Sequence, residues 1–228
     1  MRKPRVRVDV VLLILFLIVG GVTYHFDFLY KGYTPFVDNL FDALGFLLIL
    51  KGVFIRMAAR GHKKANSGGS HQLVTTGLYQ VVRNPMYLGT FYIGSGFVLT
   101  LLPWWMVFVF AGFFYARFNQ QMMSEEKFLT QMFGKKYEEY CRQVPRIFPN
   151  IALSMKLPIK QLINPQEMFS TTEKRGLWSW PLLALTCEIT KEYLLNSRFD
   201  LLSNLTVYLC TYAGFMLVFM LIVMLKKR

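Results

Sequence analysis

Two segments of the chain hold polar residues whose types suit binding and chemistry. The first, His71 to Gly89, reads HQLVTTGLYQVVRNPMYLG, and the second, Ser124 to Pro149, reads SEEKFLTQMFGKKYEEYCRQVPRIFP. The first supplies the guanidinium of Arg83 and the second supplies the adjacent carboxylates Glu125 and Glu126. Together they would form a site with both signs of charge. Such a site can hold a zwitterion, because arginine binds a carboxylate and glutamate binds an ammonium group.

A short turn predicts that these two segments meet. The apolar runs Pro85 to Leu102 and Trp104 to Phe118 are separated only by Pro103, which predicts an antiparallel helical hairpin. A hairpin returns the chain to the side it left. We therefore expect Arg83 to come within side-chain reach of the glutamate pair, at a pocket bordered by Tyr79, Tyr87 and Phe91.

The composition predicts the elements that would position this pocket. The 228 residues are 54% hydrophobic and 16% aromatic, too much for a soluble core of this size. We expect an all-α, polytopic bundle of five to six membrane spans with the pocket on the cytoplasmic side. The six candidate spans are Val8 to Tyr24, Phe36 to Ile55, Pro85 to Leu102, Trp104 to Phe118, Leu177 to Leu195 and Leu201 to Leu225.

The positive charge predicts orientation rather than nucleic-acid binding. The net charge is +13, and Lys and Arg cluster at the ends of the apolar runs, as membrane anchors do. This distribution places both termini in the cytoplasm, and we expect a prokaryotic inner membrane. The three cysteines and three histidines lack the spacing of a zinc site, so no metal is predicted. One domain is expected, with an N-terminal hairpin over 1–60, a catalytic core over 71–149 and a C-terminal extension over 150–228.

Two local features refine the predicted helices. The fourth run should continue to about Phe133 and stop at Gly134, ahead of a short helix around Tyr137 to Arg142. The fifth run contains Glu188, Lys191 and Glu192, which favours a structural ion pair, and this run either spans the bilayer or lies at its interface. The stretch from Ile151 to Phe169 suits a broken helix on the membrane surface.

Several motifs in one order resemble the isoprenylcysteine carboxyl methyltransferase family, and more broadly the phospholipid N-methyltransferases. The motifs are LVTxGxY from Leu73, RxPxYxG from Arg83, EE at Glu125 and FGxxYxxYxxxVPR from Phe133. The resemblance implies S-adenosylmethionine as cofactor and a lipidic or membrane-partitioned acceptor, whose nucleophile is a carboxylate, an amine or a thiol. It also implies catalytic roles for Arg83 and Glu126. The implied cofactor-binding residues are His71, Gln72, Leu73, Val74, Tyr79, Asn84, Pro85, Met86, Tyr87 and Glu125.

Two positions depart from the enzymes that act on prenylated cysteine. Those enzymes have His where this chain has Asn84, a change that keeps a hydrogen-bonding side chain. They also have a substrate-binding Arg that aligns with Gln121, and Arg117 lies one turn back on the same helix face, so both are candidate substrate-binding residues.

Two alternatives stay open. An NADPH-dependent enzyme similar to the membrane sterol reductases would share part of this pattern, although the acidic pair disfavours a cofactor bearing a 2′-phosphate. A non-catalytic transporter or scaffold is the other.

Overall fold

The computed structural model of the chain describes residues 35–70, 72–149, 157–195, 205–206, 208–217 and 220. The chain divides into two compact units, residues 1–38 and 39–228. Every regular element among the described residues is helical, which confirms the all-α prediction.

Seven α-helices can be delimited in this part of the chain. They are α1 (Pro35–Asn66), α2 (Pro85–Leu101), α3 (Met106–Phe133), α4 (Lys135–Gln143), α5 (Ile159–Leu162), α6 (Pro165–Met168) and α7 (Gly176–Leu195). Short 3₁₀ turns lie at Gly68–Ser70, Gly77–Gln80 and Thr172–Arg175, and residues 208–217 are also helical.

The predicted helix limits agree closely with the structure in the middle of the chain. Pro85 occupies the first turn of α2, where its missing N–H is not needed. Pro103 lies between α2 and α3 and marks the predicted hairpin. At the other end of α3, Gly134 has φ +52°, a left-handed value that glycine adopts without a Cβ clash, so the helix ends there as predicted.

Helix α1 packs against α2 through glycines at two levels. A Cβ built on Gly45 would lie 2.7 Å from the carbonyl oxygen of Gly96, and one built on Gly89 would lie 2.7 Å from that of Gly52. The two contacts are seven residues apart on each helix and run in opposite directions, so α1 and α2 are antiparallel. Small residues at such positions allow close backbone approach.

Aromatic rings fill the seam between α2 and α3. The ring centroids of Tyr87 and Phe118 are 5.5 Å apart, and those of Phe91 and Phe114 are 5.3 Å apart. Phe110 stacks on Phe91 at 5.9 Å. These contacts occur at intervals of one helical turn, and edge-to-face pairs add to the stabilisation from buried area alone. They fix the register of the hairpin and hence the position of Glu125 relative to the start of α2.

A buried ion pair joins α7 to the α1–α2 pair. Lys191 Nζ lies 2.8 Å from Glu188 Oε1, donates to the carbonyl of Thr100 at 2.8 Å and lies 3.9 Å from Asp42 Oδ1. The predicted pairing of Glu188 with Lys191 is therefore confirmed. Ala184 of α7 is fully buried in a cluster with Phe46, Ile49 and Leu50 of α1.

No described helix has both the length and the hydropathy that crossing a bilayer requires. The number of spans therefore stays a prediction. The first predicted run, Val8 to Tyr24, lies outside the described residues, and the last, Leu201 to Leu225, lies partly outside them.

Candidate functional site

A cavity of about 930 Å³ lies where the ends of α1, α2 and α3 meet α4. It is lined by polar groups of both charges and by aromatic and aliphatic side chains. The lining residues are Arg56, Lys63, Ser67, Gln72, Leu73, Val74, Tyr79, Arg83, Asn84, Pro85, Met86, Tyr87, Thr90, Phe118, Ser124, Glu125, Phe128, Leu129, Met132, Phe133, Tyr137 and Tyr140. Its volume falls near the upper end of the roughly 300–1,000 Å³ range of small-molecule sites.

Most of the residues predicted to bind a cofactor line this cavity. The residues brought together are Gln72, Leu73, Val74, Tyr79, Asn84, Pro85, Met86, Tyr87 and Glu125, with Arg83 beside them. His71 lies outside the described residues. Glu126, Arg117 and Gln121 are not among the lining residues. Their predicted roles stay predictions.

Hydrogen bonds from α1 and from α4 hold the loop between α1 and α2 in place. His62 of α1 contacts Thr76 Oγ1 through Nε2 and Glu167 through Nδ1, each at 2.8 Å. Gly77 has φ +64°, and a Cβ there would lie 2.8 Å from the His62 ring, so glycine is required on both grounds. Further along, the hydroxyl of Tyr140 donates to the carbonyl of Tyr79 at 2.7 Å.

The turn that leads into α2 is paired with the segment after α4. The backbone N–H of Arg83 donates to the carbonyl of Pro145 at 2.8 Å, and that of Asn84 donates to the carbonyl of Arg146 at 3.2 Å. Backbone hydrogen bonds thus join residues 83–84 to residues 145–146, which lie 62 residues further along the sequence. This pairing sets the position of the Arg83 side chain.

Glu125 is the carboxylate that faces the cavity. The hydroxyl of Tyr87 donates to its Oε1 at 2.7 Å, and Gln121 Nε2 donates to the same oxygen at 3.2 Å. Glu125 is exposed. Its orientation is therefore fixed by neutral donors, which leave its negative charge available to a cationic ligand.

Glu126, the next residue, has the opposite environment. Its side chain is only 11% exposed and receives two hydrogen bonds from Arg146, at 3.1 and 2.6 Å. Asn84 Nδ2 donates to it at 3.3 Å, and Arg83 Nη2 lies 3.6 Å away. The predicted approach of Arg83 to the glutamate pair is confirmed, and Glu126 is its partner. The hydrogen bond to Glu126 also raises the pKa of Arg146.

Arg83 retains capacity for a further partner. Its side chain is 13% exposed, and Nε is buried with no hydrogen-bond partner among the described residues. A buried donor without a partner costs about 1–3 kcal/mol. An anionic group in the cavity could satisfy it.

Three tyrosines at the cavity stay neutral. Burial raises the pKa of Tyr79, and the charge of Glu125 raises it further. Burial is also the largest cause of the raised pKa values of Tyr137 and Tyr140. The cavity wall therefore presents un-ionised phenols at physiological pH.

The sequence prediction missed part of the cavity lining. Helix α1 extends eleven residues beyond the predicted Ile55, to Asn66, and brings Lys63 to the cavity and Ser67 just beyond its end. On α3, Phe118, Glu125, Leu129 and Met132 recur at intervals of three to seven residues, a helical periodicity that identifies one face. Arg56 is also at the cavity; it donates to Thr90 at 2.6 Å and pairs with Glu173 at 3.1 Å. No local motif marks that partner, because 117 residues separate Arg56 from Glu173.

Comparison with known proteins places this site in context. Residues 40–136 match the family model described as phospholipid methyltransferase. Protein-S-isoprenylcysteine O-methyltransferase of Schizosaccharomyces pombe is 33% identical over 118 residues, covering 48% of this chain and 49% of that protein. The proteins of the same name from Saccharomyces cerevisiae and Xenopus laevis are each 34% identical, over 114 and 121 residues, covering 46% and 48% of this chain and 48% and 41% of theirs.

The chain thus spans about half the length of these relatives or less. No solved structure matches it. The matched segment includes the cavity-lining loop, the α2–α3 hairpin and both glutamates. The resemblance to the isoprenylcysteine carboxyl methyltransferases that the motifs predict is therefore confirmed over about half of the chain.

Proposed function

We propose that this chain is an integral membrane methyltransferase that uses S-adenosylmethionine and acts on a lipidic or membrane-partitioned acceptor. The observation that carries the proposal is one cavity in which an oriented carboxylate, Glu125, and an incompletely bonded guanidinium, Arg83, lie among aromatic side chains. The relatives named as O-methyltransferases support the same reaction class.

The residues present fit the three charged parts of this cofactor. Glu125 would bind the ammonium, and the partnerless Nε of Arg83 suits a carboxylate. The rings of Tyr87 and Phe118 line the cavity, and aromatic faces attract a sulfonium as they attract other cations. The neutral state of Tyr79 and Tyr140 keeps further negative charge away from the methionine carboxylate.

When bound, the cofactor supplies an electrophilic methyl group, and the chain supplies position and exclusion of water. Tyr87 and Gln121 hold the Glu125 carboxylate in one orientation. Glu126, through Arg146 and Asn84, holds the turn from which Arg83 extends, so we assign it a positioning role in the reaction. Correct placement of two reactants can lower a barrier by about 7–11 kcal/mol, so in-line transfer needs no covalent intermediate.

Membrane embedding is part of the proposal, and surface side chains support it. Phe108 is 71% exposed and Phe113 is 54% exposed on α3, and Trp178 is 69% exposed on α7. The glycine-mediated contact of α1 with α2 is typical of membrane helices. We propose a cytoplasmic location for the cavity and both termini, because Lys and Arg cluster at the ends of the apolar runs on that side. Fractionation of expressing cells, with protease protection of tagged termini, tests this topology.

The proposed activity is tested by ligand titration of the purified full chain. We expect S-adenosylmethionine to bind the wild type, and Glu125→Gln to weaken this binding about tenfold, since a charge-assisted hydrogen bond is lost. Glu139→Gln, an exposed acid on α4 that does not line the cavity, is the matched control and should bind normally. Tight NADPH binding without S-adenosylmethionine binding would refute the proposal. Mass spectrometry of membrane extract incubated with labelled methyl donor would then identify the acceptor.

A further inference from the structure

A second pocket, of about 550 Å³, lies beside the cavity but has a different lining. It is lined by Arg60, Lys63, Lys64, Met86, Ser170, Thr171 and Thr172. Three of these side chains are cationic and none is acidic. Lys63 and Met86 line both pockets, so the two are adjacent.

The positive charges of these three side chains are neutralised to different extents by neighbouring groups. Arg60 Nη1 lies 3.1 Å from Glu173 Oε1, and that carboxylate also binds Arg56, so its charge is shared between two guanidinium groups. Among the described residues, Lys64 Nζ donates only to a neutral acceptor, the carbonyl of Ser170, at 3.1 Å. The Lys63 ammonium group has neither a hydrogen bond nor an ion pair within the described part of the chain; only the backbone carbonyl of Lys63 is bonded, to the N–H of Ser67. The pocket therefore carries uncompensated positive charge.

A buried hydroxyl supplies an independent sign of a missing ligand. Thr171 is 7% exposed, lines the pocket, and its Oγ1 has no hydrogen-bond partner among the described residues. It precedes the 3₁₀ turn Thr172–Arg175 but its side chain does not cap that turn. The hydroxyl of Ser170 differs, since it donates to the carbonyl of Glu167 at 2.6 Å. The carboxylate of Glu167 is engaged by His62 and Asn164.

We infer that this pocket binds a phosphate group. Lysine ammonium groups and a hydroxyl are common donors to phosphate oxygens, and these donors converge here from the last turns of α1 and from residues 170–172. The positive charge would also attract a carboxylate, but a phosphate carries more negative charge and more acceptor oxygens. The phosphate belongs either to a lipid headgroup or to a free anion, and the two sources are separated by experiment. Binding at this pocket does not depend on the proposed methyl transfer.

The test measures binding of dihexanoyl phosphatidic acid to the full chain in detergent, by native mass spectrometry or thermophoresis. We expect saturable binding to the wild type and about tenfold weaker binding to the Lys63→Gln/Lys64→Gln variant, since two charge-assisted bonds are lost. Thr171→Val should weaken binding about threefold or more, while Thr171→Ser, which keeps the hydroxyl, should restore it. The matched control, Lys135→Gln/Lys136→Gln, removes two exposed lysines of α4 outside the pocket and should bind as the wild type does.

The comparison ligands identify the source of the phosphate. Dihexanoylglycerol, which lacks phosphate, should not compete. Inorganic phosphate that competes at similar concentration indicates a free anion as the ligand, whereas weak competition indicates the lipid headgroup; either result supports a phosphate site. Equal losses in the α4 control, or normal binding by Thr171→Val, would reduce the effect to surface charge and overturn the inference. A thermal unfolding midpoint in detergent close to that of the wild type shows that each variant is folded.

Discussion

Substitution by Gln should lower the thermal stability at Glu126 but the affinity for S-adenosylmethionine at its neighbour Glu125. Glu126→Gln removes the charge that pairs with Arg146 through two hydrogen bonds and lies 3.6 Å from Arg83. Breaking a buried ion pair costs about 3–5 kcal/mol. The Arg146 side chain is 34% exposed and Gln keeps one acceptor, so we expect the free energy of unfolding to fall by only about 2 kcal/mol. For a chain of this size that is a fall in Tm of about 4–8 °C.

Glu125→Gln should leave Tm within about 1–2 °C of the wild type, because an exposed side chain outside such a network changes stability by less than about 0.5 kcal/mol. Its effect should appear instead in S-adenosylmethionine affinity. The assay is thermal unfolding in detergent, followed by tryptophan fluorescence, alongside ligand titration of both variants. Equal losses of Tm in the two variants would refute the division of roles. So would a thermally normal Glu126→Gln.

Three further predictions follow from the same geometry. Tyr87→Phe removes the 2.7 Å hydrogen bond to Glu125 and should weaken S-adenosylmethionine binding about threefold in titration, because Gln121 still holds the carboxylate. Gly89→Ala should lower the free energy of unfolding by about 1–3 kcal/mol in a denaturant melt, since its Cβ would meet the carbonyl of Gly52; an unchanged midpoint would contradict the close helix contact. Stability should fall above about pH 10, because the pKa of Tyr140 is raised in the folded state and the unfolded chain then binds fewer protons; a smaller alkaline loss in Tyr140→Phe, seen in melts at pH 8 and 10.5, would confirm its share.

The helices were predictable where their limits are written in local chemistry. Pro85 starts α2, Pro103 separates α2 from α3, and Gly134 ends α3, and each acts through its own backbone geometry. The ordered motifs also predicted which loop and which hairpin meet. Together they placed Arg83 near the glutamate pair without knowledge of any tertiary contact.

The partners of those residues were less accessible to sequence reasoning. The two glutamates are chemically identical in sequence, and only the orientation of α3 makes one exposed and the other buried. Arg146 lies within a recognised motif, but its ion pair with Glu126 depends on the path of the chain after α4. The extension of α1 beyond Ile55 was missed because Arg56 and Arg60 resemble the end of an apolar run. Both arginines instead pair with Glu173, far along the chain.

The glycine contact between α1 and α2 has a consequence for how molecules reach the cavity. The backbones of α1 and α2 are in direct contact, so no gap remains between these two helices. The adjacent seam between α2 and α3 is filled by stacked aromatic rings. Neither of these two seams therefore offers a lateral opening into the cavity. The cavity lining that is itself exposed includes Phe128 and Met132 of α3. A lipidic acceptor of the kind proposed would bring its hydrocarbon tail to the cavity along these two side chains.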